Sequence, residues 1–253
     1  MGKPMTRGSS ALLAAAIAAT IFTPASARAQ SSGDGFLFRK PAGSFVVRGG
    51  YASELASGDL YSFLTDQFTL NKGDFRAPSF GGDVLVSVAP RVDLDFGLSY
   101  SAWKKPSEFR DFVGTDNLPI QQTTSLARVP LTAGARFYLA SPGRSIGSYA
   151  WIPNKFVPYV GAGGGMMWYR LRQTGEFIDF QTSDVFPDEF ESSGWTGTAH
   201  AMVGADYSLT PRLALTGEGR YTWAKTSLGT DFTGFDGIDL SDFAITLGLN
   251  VRF

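Results

Sequence analysis

From Phe243 to the last residue, Phe253, large apolar side chains occupy every second position: Phe243, Ile245, Leu247, Leu249, Val251 and Phe253. The positions between them hold Ala244, Thr246, Gly248, Asn250 and Arg252. A period of two belongs to a β-strand, whose successive side chains point to opposite faces. The two faces here require different surroundings, one apolar and one small or polar. A soluble sandwich could supply them. So could a strand of about ten residues with lipid on one side and a polar interior on the other.

The same alternation recurs over 44–52, 78–88, 92–103, 124–139, 155–172, 195–209 and 213–223, so eight strands are expected with the terminal one at 240–253. In the third, Val92, Leu94, Phe96, Leu98 and Tyr100 alternate with Asp93, Asp95, Gly97, Ser99 and Ser101. Two carboxylates on one strand face are costly in a dry sandwich core. They are acceptable beside water or against arginine. The fifth strand carries Gly161, Gly163, Gly164 and Gly165, and the period alone leaves open which of its faces is the outer one. Met166 stands where a dinucleotide-binding loop needs its third glycine, so that reading is rejected.

The connections decide between the two settings. Those at 53–77, 104–122, 173–194 and 224–239 are long, whereas Ala89-Pro90-Arg91 and Thr210-Pro211-Arg212 are tight turns. Only 140–154 breaks the rhythm. Long connections at one end and short ones at the other are the layout of an up-and-down barrel across a membrane. A sandwich has no reason for it. The expected fold is all-β: an eight-stranded antiparallel up-and-down transmembrane β-barrel over 43–253, its last strand closing on its first.

The start of the chain agrees with export. Lys3 and Arg7 precede an apolar, alanine-rich run over 11–22, and Ala27-Arg28-Ala29 is a small-x-small cleavage site, so 1–29 reads as a signal peptide and 30–42 as a leader. Removing 1–29 takes three of the 22 basic groups and none of the 23 acidic ones, leaving a net charge near −4. That argues against nucleic acid, which needs a clustered positive surface. With no cysteine, neither a disulfide nor a thiolate metal site is possible.

The chain resembles the small eight-stranded outer-membrane barrels of the OmpA/OmpX-like family. The residues that carry this are the signal ending at Ala29, the Val129–Tyr138 and Pro158–Gly165 strands, and the terminal Phe253. The resemblance implies placement in the cell outer membrane, with lipid and lipopolysaccharide around the barrel and the barrel assembly machinery as a partner. It also implies that Leu249, Val251 and Phe253 form the assembly signal. No domain after the barrel is expected, and a monomer is.

The inward faces collect charges of both signs. Arg48, Asp93, Asp95, Arg128, Arg136, Asp206, Glu218 and Arg220 are expected to form a charge network in the lumen, with Asp83 and Arg252 also facing it. Eight strands leave an interior just wide enough for side chains, so the network should plug it; a narrow gated ion path is the alternative. The single histidine, His200, has no serine two residues on, and Asp206 lies about 20 Å along the strand at about 3.3 Å per residue. No catalytic residue, cofactor or metal site is therefore assigned. The acidic connection at 173–194 interleaves Phe177, Phe180, Phe186 and Phe190 with six carboxylates, which suggests contact with an extracellular partner or packing of the loops on one another. Trp103, Trp168, Trp195 and Trp223, with Tyr51, Tyr100 and Tyr169, fall at strand ends near the long connections and read as an interfacial aromatic girdle. The expected role is structural or surface-interaction, carried by the long loops; a narrow pore, or a path for a small hydrophobic solute, is the second reading.

Overall fold

The computed structural model describes residues 35–253, apart from 115, 116, 148, 180, 181 and 183. The proposed signal at 1–29, the first part of the leader, and Phe180 lie outside the described residues.

Twelve strands are present among the described residues: β1 (Leu37–Phe38), β2 (Gly43–Glu54), β3 (Arg76–Ala89), β4 (Val92–Val113), β5 (Pro119–Tyr138), β6 (Gly143–Ile146), β7 (Ala150–Pro153), β8 (Phe156–Ile178), β9 (Val185–Ser208), β10 (Leu213–Thr226), β11 (Ile238–Asp239) and β12 (Asp242–Arg252). Eight of them bond antiparallel into a ring in the order β2, β3, β4, β5, β8, β9, β10, β12. The ring closes where β12 meets β2, in register from Asp242 opposite Glu54 to Arg252 opposite Ser44. Closure leaves no edge strand in the ring, which is the condition for a sheet that crosses a membrane. The alternation sets what faces where. Along β12, Phe243, Ile245, Leu247, Leu249 and Val251 are exposed, while Thr246, Asn250 and Arg252 are buried. The same holds around the ring: Val84, Phe96, Leu98, Leu131, Val203 and Leu215 are bare on the outside. A continuous apolar belt around a barrel with polar residues inside is the arrangement of a transmembrane strand ring, with lipid as its outer solvent.

The face of β8 that the period left open is now assigned. Val157, Tyr159, Met167, Tyr169 and Leu171 are buried inside, and Val160 and Met166 face out. The glycines follow the same parity. A Cβ on Gly163 would strike the carbonyl of Ala133, Gly134 Cα and the ring of His200. The bare strand lets its neighbours approach and makes room for His200 and Met202 on β9.

Two of the four long connections are not loops. β4, β5, β8 and β9 run for 22, 20, 23 and 24 residues, about twice the span that a bilayer requires. Most of 104–122 and 173–194 is thus strand, continuing the hairpins beyond the membrane. The other two connections fold over the top. The segment after β2 contains α1 (Asp59–Gln67), a nine-residue helix that starts after Gly58, whose φ of 110° suits glycine. Leu60, Tyr61 and Leu64 form its buried face. They join Phe68, Leu70, Phe75, Phe109, Ile120, Leu171, Phe232 and Leu240 in an apolar core above the lumen. Each fully buried leucine or phenylalanine contributes about 1.5–3 kcal/mol.

The connection at 140–154, expected to be irregular, holds β6 and β7, and β1 from the leader adds a third strand to them. This small sheet lies at the short-turn end: Trp151 is buried against Arg252, and Ser208 donates to the carbonyl of Asn154. A Gly163→Val variant is expected to stop the β5–β8–β9 strands from coming together. Its heat-resistant folded band on a gel should be lost, and a wild-type band would contradict this packing.

Candidate functional site

The lumen is built around one carboxylate. Glu218 on β10 accepts from Arg48 Nη1 at 2.9 Å, Arg220 Nε at 3.0 Å, Arg136 Nη2 at 3.3 Å and the Tyr159 hydroxyl at 2.9 Å. Arg48 turns its other edge to Asp83, with Nε 2.9 Å and Nη2 3.0 Å from its two oxygens. Arg136 also reaches Asp95 at 2.9 Å, and the Tyr159 ring lies 4.2 Å from its guanidinium carbon. Three arginines face three carboxylates, so the cluster is neutral as a whole. Its members come from β2, β3, β4, β5, β8 and β10 and tie six strands together. Desolvating a charge costs several kcal/mol, which shared, well-aligned partners offset. Glu218 is the residue on which that balance turns.

The eight expected network residues therefore separate. Arg48, Asp95, Arg136, Glu218 and Arg220 meet in this cluster, together with Asp83. Asp93 and Asp206 lie nearer the short-turn end and are satisfied by neutral groups: Ser87 and Tyr138 donate to Asp93, Thr216 and Asn250 to Asp206. Arg252, at the same end, donates to Ser208. Arg128 sits at the other end, 2.9 Å from Asp242 and 3.5 Å from Glu54, and donates to the carbonyl of Leu240. Period-two reading assigns a residue to a face but not to a height, and height decides these partners. Nothing in the sequence marks Tyr159 as inward, because the glycines of its strand give the two faces no apolar/polar contrast.

His200 faces the lumen, and its Nδ1 has no hydrogen-bond partner among the described residues. The aromatic girdle needs correction. Trp195, Trp223, Tyr51 and Tyr100 are exposed on the outside, but Trp103 and Tyr169 are buried inside. Trp103 Nε1 donates to Glu54 at 2.8 Å, and the Tyr169 hydroxyl donates to the carbonyl of Ser227. Both have the inward parity of their strands.

Above Arg128, charge gives way to the apolar cap. Glu54 accepts from the Tyr61 hydroxyl of α1 at 2.6 Å. Burial first, and then the Glu54 carboxylate, hold the Tyr61 phenol well above its ordinary value of 10.0. The phenylalanines of the β8–β9 hairpin stack on one another and on the last connection: Phe177 on Phe190 at 4.4 Å, Phe190 on Phe232 at 6.4 Å. Of the intervening carboxylates, Glu189 and Glu191 pair with Arg172.

Replacing Glu218 by alanine leaves three buried arginines facing two carboxylates. It is expected to destabilise the barrel by roughly 3–5 kcal/mol, read as a lower urea midpoint of the refolded protein; an unchanged midpoint would show the cluster to be dispensable. Tyr61→Phe removes a donor from buried Glu54 and should loosen the cap by about 1–3 kcal/mol, read as faster protease cleavage of the hairpins. The buried phenol keeps its proton where the unfolded one loses it, so stability falls as pH rises above about 10. That alkaline loss should be smaller in Tyr61→Phe.

No family model matches the chain, and no curated protein matches it. Several solved structures are similar to it. The outer membrane protein OprG from Pseudomonas aeruginosa is 14% identical, over 86% of this chain and 99% of its own, with a TM-score of 0.46. Neisserial surface protein A is 13% identical over 84% and 97%, with a TM-score of 0.44. The outer membrane protease OmpT from Escherichia coli is 9% identical over 86% and 98%, with a TM-score of 0.40. The strand ring, the apolar outer belt and the charged interior are this chain's own evidence: it is an eight-stranded transmembrane β-barrel, similar to the small outer-membrane barrels.

Proposed function

We propose that the chain is a monomeric outer-membrane barrel that acts through the surface it displays rather than through a passage across the membrane. The observation that supports this is the lumen. Arg48, Arg136 and Arg220 are cross-linked to Asp83, Asp95 and Glu218 at its centre, with an apolar cap above and a small sheet below. A structural role, with the projecting hairpins held rigid for contact with an extracellular partner, fits such a filled barrel. Lipid and lipopolysaccharide would surround the belt. Export would use the signal at 1–29. Leu249, Val251 and Phe253 all point outward at the end of β12, where they would be accessible to the assembly machinery. We assign no catalytic residue, cofactor or metal.

A narrow ion path is the second reading. It is favoured by lumen atoms that no described protein group satisfies, among them Arg136 Nε and Nη1, Thr198 Oγ1 and Asn250 Oδ1, which water could serve.

Single-channel recording in planar bilayers separates the two. Silence is expected of the wild-type barrel, and defined conductance steps would sink the displayed-surface reading in favour of the pore. Deleting Phe253 is expected to lower the amount of folded barrel in outer-membrane fractions several-fold; normal insertion would remove the assembly role from this residue.

A further inference from the structure

Between the β8–β9 hairpin, α1 and the connection after β10 lies a pocket of about 190 Å³. Its walls include the rings of Phe63, Phe177, Phe186, Phe190, Phe232 and Phe235, with Phe68 and Phe109 of the cap core behind them. The rings meet edge to face, with Phe63 on Phe235 at 5.5 Å and 67° and Phe177 on Phe190 at 4.4 Å and 65°. The pocket lies at the margin of the cap: Leu60, Leu64 and Phe75 of the core are almost wholly buried and do not line it, whereas Phe63, Phe177, Phe190 and Phe235 in its walls stay half-buried and Phe186 is exposed.

Two buried carboxamides, Gln122 and Gln173, also line the pocket. Gln122 Nε2 donates to the carbonyl of Glu176 at 2.8 Å. A carbonyl can only accept, so this bond fixes which way the amide points, and its oxygen receives no hydrogen bond from the described residues. Asp231 is the one carboxylate among the described residues of the lining, and one of its oxygens accepts from the Glu191 backbone.

We propose that this pocket binds a small, uncharged, monocyclic aromatic molecule carrying one hydrogen-bond donor, of the phenol class, at the extracellular surface of the barrel. Size, walls and polarity all select it. An apolar cavity of about 150 Å³ accepts benzene, so 190 Å³ is room for one substituted ring. Phenylalanine faces and edges suit a second aromatic ring. They suit a cation less well than tryptophan would. The Gln122 oxygen asks for a donor.

The test uses the complete mature barrel in lipid nanodiscs, which keeps detergent tails out of the pocket, with phenol and anisole as probes and titration calorimetry as the readout. Phenol is expected to bind saturably, one per barrel, and more tightly than anisole, which lacks the donor. Phe177→Trp, which fills the space, should weaken phenol binding at least tenfold, and Phe186→Trp at the exposed wall is the second filling variant should the first not fold. Gln122→Leu should abolish the preference for phenol over anisole. The proposal is overturned by the absence of saturable binding, by unchanged affinity in a folded filling variant, or by tighter binding of phenyltrimethylammonium than of phenol.

Discussion

A strand in lipid has no water to satisfy its backbone, so a sheet that crosses a membrane must close on itself. In this chain that requirement is met where β12 bonds to β2, and the rest follows from the number of strands in the ring. Eight strands enclose a space that side chains just fill. The apolar residues are already committed to the lipid face, so the interior is left to the polar half of each strand. A polar interior cut off from bulk water must satisfy itself. Glu218, reached by three arginines and a tyrosine, is how this one does so.

The barrel has two interiors of opposite character. Within the membrane the outside is apolar and the inside charged. Beyond it, where water surrounds the projecting hairpins, the order reverts to that of a soluble domain, and Leu60, Leu64, Phe75 and Leu171 lie inside. The change occurs around Glu54, which is paired with Arg128 on one side and bonded to Tyr61 and Trp103 on the other. Because the strands run straight through this change of solvent, one and the same inward parity carries Asp93 and Asp95 low on β4 and Trp103 and Phe109 higher up. Position near a strand end therefore does not place Trp103 and Tyr169 in the interfacial girdle: the parity that puts Asp95 inside puts Trp103 inside as well.

The long connections were the least legible part of the chain. The β8–β9 hairpin keeps strand pairing out to Ile178 and Val185, yet its sequence is acidic and aromatic. Above the membrane neither face of a hairpin meets lipid, so the apolar/polar contrast that marks a transmembrane strand fades while the backbone ladder continues. The small sheet of β1, β6 and β7 was hidden for a different reason. It joins segments more than a hundred residues apart, and each is too short to show a period.

The sequence by itself determined the class of fold, the number of transmembrane strands, the closure of the last strand on the first, and, outside the glycine-rich β8, which side chains of the transmembrane strands face inward, because the Cβ alternation of a strand is local and needs no knowledge of its neighbours. It also marked Arg48, Asp95, Arg136, Glu218 and Arg220 as inward charges. Only the tertiary structure decided that these five meet while Arg128, Asp93 and Asp206 do not, that Tyr159 completes the cluster, and that eight phenylalanines from the β2–β3 connection, β4, the β8–β9 hairpin and the connection after β10 line one pocket. Those outcomes depend on the register between strands and on the height of each residue along the barrel, both set by pairing around the whole ring.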